Sequence, residues 1–435
     1  MHVPGSGCVP VRAHFDSPTV SMRSRSSIWR MREPGSGQDA SIAPICPHQA
    51  CRPALSDSSD NPRICFLAVL LSSPLSVALQ IPNTENRLYG ATGELAVPGH
   101  TLKKLISTGE FKLAYRLDNR LVIGVASSAV FDLREADAVF RSEGEEEYRA
   151  YQRKHLEDPL PPGIAFPFIK RILSLNDLCA DPADPLVEVV LLSRNDPDTG
   201  LRVMKTIQHH GLGITRAIFT QGKSPYAYIP ALNIALFLSG NKADVDAAIL
   251  ANYPAGQVLE SQFEDDDSDR ALRIAFDFDG VLAGDESESV MQKSGLTEFH
   301  AHEVLNVMQP HNPGPLQEFL VRVSKIQLIE EAHKRENPDY ENRLRVSIVT
   351  ARSAPSHERA IKTLESWGVH ANDAFFLGGI EKGKVLAVLK PHIFFDDQPG
   401  HLKSASVVAP SVHIPFGIVN AVLPPRHEVE TDGQV

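Results

Sequence analysis

The chain has 435 residues, of which 42% are hydrophobic and 22% charged, a composition that supports a large core and excludes a mainly disordered or fibrous protein. Its 54 acidic residues outnumber the 43 basic ones, and the net charge of −11 argues against a protein that grips the phosphate backbone of DNA or RNA. The best apolar stretch, 65–79, is interrupted by Ser72, Ser73 and Pro74, so no membrane span is predicted.

Residues 1–85 differ from everything after them. They are rich in Ser, Pro and Arg, contain no Lys and show no sustained periodicity, which predicts a disordered extension. The five cysteines are sparse and four of them precede residue 66, a usage typical of a reducing compartment without a disulfide framework. We therefore expect a cytoplasmic protein, with a mitochondrial location as the alternative if the Arg/Ser-rich start is a transit peptide.

From about Leu88 onward, short apolar runs alternate with longer amphipathic stretches. This alternation predicts an α/β fold with a Rossmann-like, mostly parallel sheet. The amphipathic stretches include 316–335 and 356–367, which are predicted to be helices. The predicted buried strands are Leu121–Ala126, Val187–Leu192, Ala217–Thr220, Ile234–Leu238, Arg273–Phe278, Val346–Val349, Ala374–Leu377 and His392–Phe395.

Two halves are expected within this α/β region. An N-terminal α/β half, 86–262, is predicted to carry substrate specificity, and a catalytic half, 263–425, is predicted to include a small helical cap at about 286–340, followed by a tail at 426–435. The acidic run 264–269 is interpreted as a solvated connection between them. Strand-plus-polar-tip units recur in the same order in both halves, which suggests an internal duplication whose first copy has lost its acids.

The residues with the clearest chemistry follow the predicted strand at 273–278. Asp277 and Asp279 are two positions apart, so both carboxylates leave the same side of an extended chain. Carboxylates this close need a cation, and Mg²⁺ held by oxygen ligands could also neutralise a phosphoryl group. Gly280 fits a tight turn where backbone approaches a ligand closely.

Further polar residues follow later strands in an order that strengthens this interpretation. Thr350 ends a buried strand and can donate its hydroxyl to a phosphate oxygen, and either Lys382 or Lys384 can supply an ammonium group. A second carboxylate pair, Asp396 and Asp397, ends a very apolar strand and suits the far side of a magnesium ion.

This series of an aspartate pair, Thr, Lys and a second aspartate pair resembles the four motifs of the haloacid-dehalogenase-like phosphohydrolases. Over roughly 121–420 the chain is more specifically similar to the cytosolic type I 5′-nucleotidases. The stretches that carry this resemblance are DFDGVLAGDESE (277–288), VTARS (349–353), KTLESWG (362–368), EKG (381–383) and PHIFFDDQ (391–398), with PGIAFPFIK (162–170) upstream.

The resemblance implies a role for each matching position. Asp277 would be the nucleophile that accepts the phosphoryl group, and Asp279 would be the general acid and then the base. Thr350 would bind phosphate, and Lys382, which fits the family pattern better than Lys384, would neutralise charge. The metal ligands would be Asp277 and Asp279 together with Asp396 or Asp397, and the residues alone do not decide between the last two.

Substrate contacts are predicted less directly. Arg202 and Ser224 match the family pattern in the first half, whereas Ser193, Arg194 and Asn195 stand where the family tends to have Thr-Asn-Asn. Asn195, Arg202, Ser224 and Arg352 are the candidate substrate residues, and His300, His302 and His311 in the predicted cap are candidate contacts to the base.

The resemblance implies a Mg²⁺-dependent enzyme that hydrolyses nucleoside 5′-monophosphates, AMP or IMP by preference, through an aspartyl-phosphate intermediate. One alternative is a phosphatase of the same fold acting on another small phosphomonoester. Another is a non-catalytic nucleotide-binding protein, although every motif residue is present. The expected partner is the nucleotide substrate, with no nucleic acid and no membrane; a homo-oligomer is left open.

Overall fold

The computed structural model of the chain describes residues 115–420, so the predicted extension 1–85 and the tail 426–435 lie outside the described residues. Ten strands form one sheet, which confirms the predicted α/β class. Every predicted strand is present. The strands are β1 Leu121–Val125, β2 Val187–Ser193, β3 Arg216–Phe219, β4 Ile234–Ser239, β5 Ala255–Val258, β6 Leu272–Phe276, β7 Leu344–Thr350, β8 Asp373–Phe376, β9 Ile393–Asp396 and β10 Ser411–His413.

Helices connect the strands. They are α1 Ser127–Val130, α2 Arg134–Glu143, α3 Glu145–Lys154, α4 Phe166–Ser174, α5 Pro197–His209, α6 Lys242–Leu250, α7 Glu286–Ser294, α8 Leu296–Leu305, α9 Gln317–Glu336, α10 His357–Ser366, α11 Lys382–Leu389 and α12 Pro399–Ala405. The two helices predicted at 316–335 and 356–367 correspond to α9 and α10. Within 115–420, none of these helices combines the length and the apolar character that crossing a bilayer requires.

The strand order divides the sheet into two halves that run in opposite directions. The order is β3-β2-β1-β4-β5-β10-β9-β6-β7-β8, and all neighbouring pairs are parallel except β5 and β10. Because β5 and β10 are antiparallel, the carboxyl ends of β1–β5 lie at one edge of the sheet and those of β6–β10 at the other. Ligand sites of parallel sheets lie beyond the carboxyl ends, so each half has its own potential site.

The two halves are copies of one architecture. Each has its first strand at the third position from its outer edge, followed along the chain by a helical hairpin, and the orders 3-2-1-4-5 and 8-7-6-9-10 are equivalent. The hairpins turn at Gly144 and Gly295, whose φ angles are 98° and 87°, values that glycine adopts at little cost. The duplication suggested by the sequence is therefore visible in the topology, and aligning the two halves pairs Asp277 and Asp279 with Ala126 and Ser128.

The predicted cap is shorter in the structure than in the sequence interpretation. Helices α7 and α8 form a hairpin whose side chains line the candidate site, but α9 contacts β1, β4 and β7 and belongs to the sheet's packing layer. Phe319 on α9 is fully buried, and its ring centroid lies 6.0 Å from those of both Phe276 and Phe395. The amphipathic pattern of 316–335 correctly predicted a helix, but such a pattern does not indicate which surface the apolar face of the helix covers.

Two strands escaped the sequence prediction, and two others are less buried than expected. The missed strands β5 and β10 are short and form the junction between the halves, so their pairing depends on the fold already being assembled. The predicted strands β3 and β8 are only half-buried because they are the two edges of the sheet. Edge strands have a neighbour on one side only.

The acidic connection is partly fixed to the first half rather than fully solvated. Buried Arg171 on α4 contacts Asp265 at 2.8 Å and donates to the backbone carbonyls of Asp266 and Asp269. Lys170 pairs with Asp267 at 2.9 Å. The run therefore anchors the chain as it passes from one half to the other.

Phe319→Ala should lower the free energy of unfolding by about 3–5 kcal/mol, because it leaves a cavity beneath two aromatic rings. Leu328→Ala on the same helix is the control, since Leu328 is 59% exposed and its truncation removes little buried area. Urea unfolding followed by circular dichroism measures both. A loss at Phe319 no larger than the loss at Leu328 would contradict the placement of α9 on the sheet.

Candidate active site

A buried ammonium group sits between two carboxylates at the carboxyl end of the second half. Asp277 directly follows β6, and Asp396 ends the neighbouring strand β9. Lys382 Nζ lies 2.7 Å from Asp277 Oδ2 and 2.7 Å from Asp396 Oδ2, and all three residues are at most 3% exposed. Lys384 is exposed, so the geometry favours Lys382 of the two lysines.

The pKa shifts of these groups reflect burial and mutual charge. Burial disfavours the charged form of Lys382, but Asp277 and Asp396 outweigh this effect and raise the pKa of its ammonium group. Burial and the nearby Asp396 raise the pKa of Asp277 to about 6 despite the lysine. Asp396 has its pKa lowered, since Lys382 and His401 outweigh the effect of burial.

Asp397 is the carboxylate that lacks a cation. It is 3% exposed, and its Oδ1 atom has no hydrogen-bond partner among residues 115–420. Burial, followed by the charges of Asp277 and Asp396, raises its pKa to about 9. Gly280, at φ 71°, passes so close that a Cβ there would lie 2.5 Å from the Asp397 carboxylate. Leaving a buried carboxylate without a partner is costly unless it coordinates a metal, so this arrangement fits a divalent cation.

The two aspartates that the sequence left open, Asp396 and Asp397, differ in their contacts. Ligand atoms of Asp277, Asp396 and His401 lie within 4.8 Å of one another. However, Asp396 Oδ2 is bound by Lys382 and its Oδ1 accepts from the backbone of Gln398 at 2.8 Å. Both oxygens of Asp396 therefore have partners, as do those of Asp277, which contact Lys382 and the Phe278 amide. Asp397 Oδ1 has no partner among residues 115–420. His401, in the first turn of α12, was not predicted, because nothing in the local pattern around it marks a ligand.

Asp279 is held by an arginine. Arg352 donates from Nε and Nη2 to the two carboxylate oxygens of Asp279, with both distances 2.7 Å. The remaining donors of this guanidinium contact Glu303, the Ser356 carbonyl at 3.1 Å and His311 at 3.3 Å. Four of its five N–H donors thus have oxygen acceptors within the protein. Arg352, predicted to contact substrate, lines the cavity described below while its guanidinium binds Asp279.

A cavity of about 120 Å³ opens between these acidic residues and the helical hairpin. Thr350, which is 1% exposed, lies on its wall as predicted. The hairpin contributes three apolar side chains, one imidazole and the carboxylate of Glu288. The lining residues are Asp277, Asp279, Glu288, Met291, Leu296, Phe299, His300, Thr350, Ala351, Arg352, Ser353 and Gln398.

Only one of the three cap histidines lines this cavity. His300 does so, and its Nε2 atom is buried without a hydrogen-bond partner in the described part of the chain. His302 instead contacts Glu303 at 3.1 Å, and His311 is buried among charged side chains. Of the predicted base contacts, His300 is therefore the one in position.

The first-half residues predicted to bind substrate are not brought to this site. Asn195 accepts a long hydrogen bond from Tyr148, at 3.5 Å. Arg202 is buried and donates to Gln152 at 3.2 Å, and Ser224 binds Asp244. The antiparallel junction places the tips of β2 and β3 at the other edge of the sheet from Asp277. The sequence could not indicate this placement, because strand direction across a junction is not encoded in local patterns.

Comparison with known proteins supports the motif assignment. A profile of the 5′-nucleotidase family matches residues 113–421. Cytosolic 5′-nucleotidase 1B from Homo sapiens is 34% identical over 292 residues, which are 66% of this chain and 47% of that protein. The chain thus spans about half the length of this relative.

Among solved structures, a histidinol dehydrogenase from Elizabethkingia anophelis covers 72% of this chain and 70% of that chain, but at 10% identity and a TM-score of 0.17 it carries no argument. The family profile, in contrast, extends over both halves of the sheet and over all the residues that surround Lys382. The chain belongs to the 5′-nucleotidase family.

Proposed function

We propose that this chain hydrolyses nucleoside 5′-monophosphates of the AMP or IMP type to nucleoside and inorganic phosphate. The observation that carries the proposal is the buried pairing of Lys382 with Asp277 and Asp396, with Asp277 lining a small cavity, within a chain that matches the 5′-nucleotidase family. The name of the human relative supports the same activity.

In the proposed reaction, a carboxylate oxygen of Asp277 attacks phosphorus and the bond from phosphorus to the 5′ oxygen breaks. Asp279 gives the leaving 5′ oxygen the proton that it took from water in the preceding turnover, one of its two oxygens leaving Arg352 to carry that proton. The phosphoryl group is then held as a mixed anhydride on Asp277. Asp279 then takes a proton from the water molecule that attacks phosphorus, so that phosphate leaves and Asp277 is restored. Lys382 and Thr350 balance the charge on the phosphoryl oxygens.

We propose Mg²⁺ as the cofactor, held by Asp277 and Asp397. The unpartnered Oδ1 of Asp397 and its raised pKa support this assignment, and oxygen-only ligands suit a hard cation. When bound, the ion would neutralise charge on the phosphoryl group. Asp396, which shares Lys382 with Asp277 and has ligand atoms within 4.8 Å of those of Asp277, is a further candidate ligand. Both carboxylate oxygens of Asp279 are bound by Arg352, so we do not assign its carboxylate to the metal.

The hairpin side of the cavity supports a nucleoside as the leaving group. Met291, Leu296 and Phe299 offer an apolar wall for a base. The unpartnered Nε2 of His300 offers one polar contact beside them. We propose that this wall, rather than the first half, contacts the nucleoside. We also propose a cytoplasmic location, since the human relative is described as cytosolic.

A second candidate is a phosphatase of another small phosphomonoester. It is favoured by one observation: the first-half residues predicted to recognise the nucleoside lie at the opposite edge of the sheet. Under this alternative the hairpin wall would bind substrates equally well whether or not they carry a base.

Phosphate release from a panel of substrates separates the two. The panel holds AMP, IMP, CMP, UMP, ribose 5-phosphate and phenyl phosphate, each with Mg²⁺ or with a chelator. The nucleotidase proposal expects kcat/KM for at least one nucleotide to exceed that for ribose 5-phosphate by about tenfold or more, since a buried base contributes binding free energy. Equal values for all substrates would favour the second candidate.

A further inference from the structure

A buried charged cluster connects the hairpin to Asp279. Glu303 on α8 is 1% exposed and its carboxylate accepts hydrogen bonds from several sides. Arg352 and His311 contact its Oε2 atom, while Arg359 at 3.0 Å and Ser287 at 2.8 Å contact its Oε1 atom. Burial would raise the pKa of Glu303, but hydrogen bonds from His311 and the charge of Arg352 lower it. Glu303 is therefore ionised, and its carboxylate contacts the Arg352 guanidinium on the side opposite Asp279.

The first half provides an internal comparison for this cluster. Gln152 and Glu303 occupy the same position within α3 and α8, counted from the first residue of each helix. Arg202 and Arg359 lie the same number of residues after the ends of β2 and β7. The contact between these pairs is kept, because Arg202 Nη1 donates to Gln152 Oε1 at 3.2 Å. In the first half this contact is therefore made by an uncharged amide.

The charged members of the second-half cluster have neutral counterparts in the first half. Ser128, Asn195 and Gln152 occupy the positions of Asp279, Arg352 and Glu303, respectively. The aspartate, the arginine that holds it and the carboxylate behind that arginine are therefore present together in one half and absent together in the other. The first-half hairpin packs with an amide at the position of Glu303, in a half that has neither the arginine nor the aspartate of the Arg352–Asp279 contact.

We propose that Glu303 is a positioning residue that fixes the Arg352 guanidinium so that it binds both carboxylate oxygens of Asp279. This inference rests on the proposed function. An arginine side chain has many rotamers, and a guanidinium anchored on Nη1 keeps its Nε and Nη2 donors aimed in one direction. Because Glu303 belongs to the hairpin, it also makes the orientation of Asp279 depend on the hairpin being in place.

Glu303→Gln tests the inference because it keeps the size of the side chain and removes the charge. The amide nitrogen of a glutamine would face donors of Arg352 or Arg359, so Arg352 loses its anchor. We expect kcat to fall about 10- to 100-fold, as is usual for residues that orient a reacting group, with KM within about threefold because substrate contacts are unchanged. Glu303→Asp restores the charge at a shorter reach and should recover part of kcat.

Gln152→Leu is the matched control, since it breaks the equivalent contact to Arg202 in the half that has no aspartate pair. It should lower the melting temperature and leave kcat within about twofold, because Arg202 lies at the other edge of the sheet. Unchanged kcat in Glu303→Gln, or a loss of kcat equally large in Gln152→Leu, would overturn the inference. If Glu303→Gln does not fold, Glu303→Asp decides, with a fall in kcat of about threefold or more expected.

All variants are assayed on AMP and on phenyl phosphate, which lacks a base. If the wild type hydrolyses only phenyl phosphate, the proposed nucleotide substrate is wrong, and the effect of Glu303 on kcat is read from phenyl phosphate. If the wild type hydrolyses AMP and Glu303→Gln does so equally well, the inference alone is wrong. No hydrolysis of either substrate by the wild type overturns both.

Discussion

Asp277→Asn is expected to reduce kcat for nucleotide hydrolysis by about 10⁴-fold or more, because an amide oxygen is a poor nucleophile and cannot form the mixed anhydride. The substitution keeps the shape of the side chain, so the fold should persist. Steady-state phosphate release with AMP measures the change, and circular dichroism verifies that the variant is folded.

Asp373→Asn is a control for the loss of one carboxylate elsewhere in the same sheet. Asp373 begins the edge strand β8, pairs with half-exposed Arg345 at 3.0 Å and does not line the cavity. The kcat of Asp373→Asn should stay within about twofold of wild type, since exposed ion pairs contribute little to the stability of a fold. An Asp277→Asn variant that keeps a tenth or more of wild-type kcat would remove Asp277 from the nucleophile's role.

Asp397→Asn is expected to stabilise the metal-free protein while it abolishes the stabilisation by Mg²⁺. The pKa of Asp397 in the folded chain, about 9, lies above the value of about 3.9 for an unfolded aspartate. Its contribution to stability is therefore fully present below about pH 4 and is lost as the pH rises through about 9. Near pH 8 the asparagine should raise the free energy of unfolding by about 1–3 kcal/mol, because it removes a carboxyl group that must take up a proton to be buried without a cation.

Substitution of the neighbouring Asp396 should lower, rather than raise, the free energy of unfolding. Asp396→Asn breaks a buried pair with Lys382 and should cost about 3–5 kcal/mol. Thermal unfolding at pH 5 and pH 8, with a chelator or with Mg²⁺, compares both variants with wild type. Mg²⁺ should raise the melting temperature of wild type but not that of Asp397→Asn, whose kcat should fall about 100-fold or more. An equal response to Mg²⁺ in wild type and Asp397→Asn would contradict the metal assignment.

Much of the second half could be predicted from its sequence because its signals are local. A run such as Ile393–Phe395 is apolar and short enough to indicate a buried strand, and the polar residues after it must lie at the strand's carboxyl end. Since β6, β7 and β9 are parallel neighbours, Asp277, Thr350 and Asp396 converge once the strands are in place. Motif order alone was sufficient to place these residues near one another.

Properties that depend on tertiary arrangement could not be predicted in this way. The direction of β5 against β10 decides that Asn195 and Ser224 lie at the far edge, and no pattern within either strand encodes that direction. The partners of Arg352 come from a neighbouring strand tip and from α8, so its role depended on contacts between separate elements. The distinction between Asp396 and Asp397 likewise depended on which of the two reaches Lys382.

The most direct test of the account is to trap the phosphoryl group on the protein. AMP labelled at phosphorus is mixed with enzyme and Mg²⁺, the reaction is quenched with acid within one turnover, and label bound to the protein is counted before and after treatment with hydroxylamine, which cleaves acyl phosphates. The account predicts hydroxylamine-sensitive label on wild type and none on Asp277→Asn. Rapid hydrolysis by wild type without any bound label, or equal label on Asp277→Asn, would contradict it.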